Sequence, residues 1–281
     1  MKTELKERGL TAYIQTITPS IAKKMLETIA NPKNRKVSDA NVTNYGRMMR
    51  ENKWLVNGEA IVIQQDGLIA NGHNRLHAVV RAGVPVDFLI VEGVSCDAFA
   101  TFDAGQKRTA AHVLQMSDVP NAKNISSAIS SLIIYREAIS RNGSFNTYVR
   151  PTNQEILDEY NNHPALYQSS IKLAMKSKTI CPVQHCGMLY CYTLVDKKHD
   201  FEEVEQFATA LITGANLPES SPILTLRRSL ERAKYHRQTS GSNKSQNWYK
   251  NAIIIAWNAY IEGRDLRKLK VMDLNKATKI K

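Results

Sequence analysis

Residues 68 to 83 read LIANGHNRLHAVVRAG. Three apolar or small residues, Leu68 to Ala70, lead into a glycine, two histidines and an arginine. Apolar residues then recur at Leu76, Val79 and Val80, until Gly83 and Pro85 end the pattern. This is the layout of a short strand running into a helix, with Gly72 at the junction. A residue without Cβ lets the backbone turn through positive φ there and lets a ligand approach the main chain.

The neighbouring sequence extends this unit. Ala60 to Gln64 is a short β-branched run, and Asp66-Gly67 is a tight-turn signal that makes Leu68 to Ala70 its hairpin partner. PVDFLIVEGV, from Pro85, supplies a third strand apolar enough to be buried. Upstream, Pro19 to Ala30 reads as a helix, and Ser38 as the N-cap of another through Met48 and Met49. SCDAFATFDAGQKRTAAHVLQM reads as a short helix, a turn at Asp103 to Gly105 and a helix capped near Thr109. From Pro120 the pattern changes to helical periodicity over Ala122–Arg141, Thr152–Tyr160, Ala165–Met175, Pro182–Val195, Phe201–Ile212 and Pro222–Tyr235. Thr152 and Glu155 form a capping box, and Gly214 is a C-terminal stop. QTSGSNKSQ (238–246) reads as a flexible loop before a last helix with Ile253, Trp257 and Tyr260 on one face, and RDLRKLKVMDLNKATKIK as an exposed basic tail. The expected fold class is α+β, with a mixed-sheet domain over residues 1–118 and an all-helical domain over residues 119–281.

Three chemistries compete for NGHNRLHA. His73 and His77 are spaced to share one helical face as zinc ligands do, yet Asn74 stands where a zinc hydrolase needs its glutamate base. Alternatively, the first free amides of the helix and the forked cation of Arg75 suit phosphate oxygens. The third reading is a plain turn. Cys181, Cys186 and Cys191 lie beside His185, but steps of five residues spread thiols around a helix, so they read as small hydrophobes of a buried helix.

From about Asn31 to Met116 the chain resembles the ParB/sulfiredoxin-like superfamily. The residues that carry the resemblance are NRKVSDANVTNYGRMMRENKW, NGHNRLHAVVRAGVPV and FDAGQKRTAAHVLQM, which are similar to ParB-like proteins of phages and mobile elements. The resemblance implies a small mixed-sheet domain whose Gly72, His73, Asn74 and Arg75 hold the phosphates of ATP or CTP. Sulfiredoxins carry their reactive cysteine where His73 stands, and free-serine kinases of the superfamily have a glycine-histidine pair like Gly72-His73.

DAGQKRT repeats the combination of glycine turn, cations and helix start. Lys107 and Arg108, with Arg35, are expected to complete the phosphate site, and Asp103 to hold a magnesium ion or activate water. The net charge of +12, from 38 basic against 26 acidic residues, fits a polyanionic partner. LRRSLERAKYHR concentrates that charge at Arg227, Arg228, Arg232, Lys234 and Arg237, with Tyr235 interleaved, as a DNA-tracking helix would. The leading expectation is a nucleotide-dependent DNA-associated protein. A second is an NTPase, nuclease or kinase with His73 as acid or base. A third is a phage effector that captures a host protein. With no run of about 18 apolar residues and no signal-like first twenty residues, a cytoplasmic location is expected, with a homodimer as a possible assembly.

Overall fold

The computed structural model describes residues 9–34, 36–102, 108–145, 150–241 and 244–281. The fold is mixed: a small sheet and many helices, grouped into two compact units, Met1–Lys107 and Arg108–Lys281. Among the described residues, no helix is long and apolar enough to cross a membrane.

In the first unit four strands, β1 (Thr11–Ile17), β2 (Ile61–Gln64), β3 (Ile69–Asn71) and β4 (Val86–Val94), lie in the order β1-β4-β2-β3. β1 pairs antiparallel with β4, β4 parallel with β2, and β2 antiparallel with β3 as the expected hairpin. Three helices, α1 (Pro19–Thr28), α2 (Asp39–Arg50) and α3 (His73–Ala82), accompany the sheet. The core joins Val86, Phe88 and Ile90 of β4 to Ile61, Ile69, Leu76, Val79 and Met49. β4 is buried on one face only: Asp87 is exposed and accepts from Thr16 Oγ1 at 2.5 Å, so the sheet is less enclosed than the apolar run suggested. On α3 the core face is Leu76, Ala78, Val79 and Ala82, while Val80, expected inside, is 39% exposed. One step beyond Val79 rotates a side chain by about 100° and carries it off the buried stripe.

The second unit contains α4 (Ala110–Met116), α5 (Ala122–Ser140), α6 (Asn153–Asn162), α7 (Pro164–Lys176), α8 (Val183–Val195), α9 (Phe201–Thr213), α10 (Pro222–Ser240) and α11 (Gln246–Ile261). α4, expected with the first domain, instead packs on α5 and α6, and its Ala110 and Leu114 join the helical core. The Thr109 and Thr152 hydroxyls accept from the amides of His112 (3.3 Å) and Glu155 (3.1 Å), and Gly214 ends α9 in the left-handed conformation. α8 is buried almost all round, and Gly187 gives the closest approach: a Cβ there would lie 2.6 Å from Ile171 Cδ1 and 3.0 Å from Ala128 Cβ. Cys181, Cys186 and Cys191 are buried free thiols, with Cys181 just before the helix.

One expectation for the C-terminal third is corrected and one is refined. α10 runs on to Ser240, through residues read as loop, because no helix breaker intervenes before Gly241. The basic residues of the tail are exposed as expected, but its last residues are docked on the helices. Tyr135 Oη donates to Thr278 O (2.9 Å) and accepts from Ile280 N (2.8 Å), Asn258 binds Lys279 O and Lys281 N, and Ile280 is buried.

Candidate functional site

Gly72 caps α3 with φ near 122°. A Cβ at this position would lie 3.0 Å from Ile61 Cγ1 and 3.3 Å from Ile61 Cα, so the turn needs glycine for its conformation and for its packing on β2. Arg75 N and Leu76 N both donate to Gly72 O, at 2.9 and 3.0 Å. Among the described residues, the amides of His73 and Asn74 have no hydrogen-bond partner, and they form the electropositive end of the helix.

The side chains of the same turn hold neighbouring loops. His73 Nε2 accepts from Asn31 N at 3.3 Å, and its Nδ1 faces Asn34 Nδ2 at 3.0 Å. Asn34 Nδ2 donates to Ala70 O at 2.9 Å. Asn74 Oδ1 accepts from Ser38 N at 2.8 Å and so ties α3 to the start of α2. Arg75 is buried, and its guanidinium donates to Glu59 O, to Ala60 O (2.9 Å) and to Asn71 Oδ1 (3.3 Å). A guanidinium carries five donors in a rigid fork, which suits it to gather several carbonyls that would otherwise be orphaned.

These contacts revise the expected roles. Arg75 was expected on ligand phosphates, but it points inward onto backbone carbonyls. Burial first, and His77 second, hold the His73 pKa below its ordinary value. A neutral imidazole accepts at one nitrogen only, so with Nε2 accepting from Asn31 N the ring proton sits on Nδ1, beside Asn34. The Asn74 side chain is already engaged by Ser38 N.

Asp103, Lys107 and Arg35 lie outside the described residues. Arg108 is exposed at the start of the second unit, and its carbonyl accepts from Asn153 Nδ2 at 2.9 Å. Among the described residues, no group of three or more His, Cys, Asp or Glu is placed to hold a metal ion.

On α10 the five expected DNA contacts separate by role. Arg227 Nη1 donates to Leu211 O (2.7 Å) and Ile212 O (2.6 Å), and Nε meets Glu231 at 3.1 Å, so this arginine caps the end of α9. Arg228 forms a two-pronged pair with exposed Glu219, at 2.6 and 2.8 Å. Lys234 reaches Thr179 O at 3.2 Å, while Arg232 and Arg237 are exposed. Arg228, Arg232 and Tyr235 follow at four- and three-residue steps and share one face, where Tyr235 is 63% exposed.

A second site was not singled out in the sequence. A cavity of about 540 Å³ in the helical unit is lined by Lys123, four serines of α5, His185 and Lys250. The available signal was the SSAISS run, polar residues recurring inside an otherwise apolar helix. His185 is buried, and its pKa is lowered from 6.5 to about 4, by burial first and nearby Lys250 second. The unfolded chain therefore binds more protons than the folded one between those values, and the stability is complete above pH 6.5 and lost as pH falls towards 4. Urea melts of wild type should lose on the order of 3 kcal/mol over that window. His185→Gln should flatten the dependence, and an equal slope in both proteins would refute this assignment.

No protein-family model, curated protein or solved structure matches the chain.

Proposed function

We propose that the protein is a nucleotide-dependent, DNA-associated protein of ParB-like type, in which the phosphates of ATP or CTP bind the main-chain amides of His73 and Asn74. The observation that carries this reading is the β3–Gly72–α3 turn. It leaves two amides at a helix N-terminus without partners among the described residues, while the side chains around them are fixed by the loops they hold. The site is thus organised before the ligand arrives, and binding loses little conformational freedom. The exposed Arg228, Arg232 and Tyr235 face of α10, with Arg237 beyond it, is the proposed DNA contact. Its mixture of cations and a ring suits a phosphate backbone with stacked bases, and the net charge of +12 supports it.

The discriminating variant is Asn74→Asp. Aspartate keeps an oxygen for Ser38 N but places a negative charge beside the two amides. Isothermal titration with ATP, CTP and GTP should show binding to wild type by at least one of them. Asn74→Asp should weaken it roughly tenfold or more, with the melting temperature preserved. Absence of binding by all three to wild type would sink the reading. On the DNA side, Arg232→Ala should weaken binding to unrelated duplexes about equally and reduce the log–log salt slope by about one. An unchanged slope would remove α10 from the interface.

A further inference from the structure

We propose that the cavity between α5, α8 and α11 is a binding site for a small phosphate monoester with a hydroxyl-bearing body, such as a sugar phosphate or nucleoside monophosphate. Lys250 lines the cavity at 6% exposure. Among the described residues, no carboxylate lies within ion-pair distance of it; its ammonium rests over the Phe145 ring at 5.1 Å. A buried ammonium that lacks a counter-ion is unfavourable, and burial lowers its pKa accordingly. An oxyanion entering the cavity supplies the missing charge.

The rest of the wall matches the other end of such a ligand. His185 Nε2 lies 2.8 Å from Gln246 Oε1, which also accepts from Gln184 Nε2, so the ring proton sits on Nε2. Its Nδ1 is then a bare acceptor, buried and without a partner, and a ligand hydroxyl or amino group is the donor it lacks. Opposite, α5 presents Ser126, Ser127, Ser130 and Ser131 at helical spacing. The first two hydroxyls donate back to Lys123 O, whereas among the described residues those of Ser130 and Ser131 have no partner. Lys123, exposed at the rim, adds a second cation for the phosphate. The volume of about 540 Å³ is that of a small-molecule site.

The test uses the full chain and four probes: inorganic phosphate, ribose 5-phosphate, AMP and CMP. At least one ester should release heat on titration and raise the melting temperature, and bind better than inorganic phosphate. Lys250→Met should abolish that binding and raise the melting temperature of the unliganded protein, whereas loss of a purely structural lysine would lower it. If Lys250→Met does not fold, Ser130→Val and Ser131→Val, half-buried on the wall, carry the same comparison, with weaker binding expected. Repeating the titrations in Asn74→Asp separates this site from the α3 turn, because binding to the cavity persists there. The proposal is overturned if no probe binds, if inorganic phosphate binds as well as every ester, or if binding survives both Lys250→Met and the serine variants.

Discussion

Arg75→Ala should destabilise the first unit by about 3–5 kcal/mol, the largest loss from a single substitution at the turn. The guanidinium satisfies Glu59 O, Ala60 O and Asn71 Oδ1 inside the protein. Alanine leaves the two carbonyls without that donor and removes a buried side chain. Arg75→Lys should recover only part of the loss, because an ammonium cannot serve two carbonyls with the same planar fork. Urea unfolding followed through Trp54, packed edge-on against Tyr45, would measure both. A loss below about 1 kcal/mol in Arg75→Ala would mean that other donors replace the arginine. Arg75→Ala is consequently a poor probe of nucleotide binding, since it would remove the site by unfolding it. Asn74→Asp changes charge without removing a contact.

The second large effect is expected at Asn251. Its side chain donates to Lys276 O at 2.8 Å and Asp273 O at 3.4 Å, and accepts from Thr278 N at 2.8 Å, three main-chain groups of the C-terminal segment. Asn251→Ala should lower the stability of the helical unit by about 3 kcal/mol, since each buried group left unmet costs about 1–3 kcal/mol. Asn258→Ala, which releases Lys279 O and Lys281 N, should show coupling to it in a double-mutant cycle, because both hold one segment. Additive losses would show that the segment docks in independent pieces.

Much of this architecture was legible where local chemistry is strong. Asp66-Gly67 set the β2–β3 hairpin, Ser38 and Thr152 marked helix starts, and Gly72 marked the start of α3. β1 was missed because only Ile17 among its residues is buried, and Tyr13 and Thr16 bond outward-facing acids on β4. It is an edge strand defined by a partner some seventy residues away, not by alternation. α4 was placed with the wrong neighbours because a helix of seven residues shows its apolar stripe but not which core receives it. The site followed the same rule. The sequence pointed to the turn, but polar side chains such as Arg75 and His73 look alike whether they face a ligand or the main chain. Only the fold supplies Glu59, Ala60 and Asn31 as their partners. The cavity was invisible because Lys123, Ser130, His185 and Lys250 come from three helices far apart in sequence.

The docking of residues 273–281 also bears on how the helical unit is made. Tyr135 waits for partners 143 and 145 positions further along the chain, so α5 emerges from the ribosome long before its hydroxyl can be satisfied. Closing so long a loop is slow, and the helices already synthesised remain exposed until it happens. The helical unit is therefore expected to stay loosely packed until residues 276–281 dock on α5 and α11.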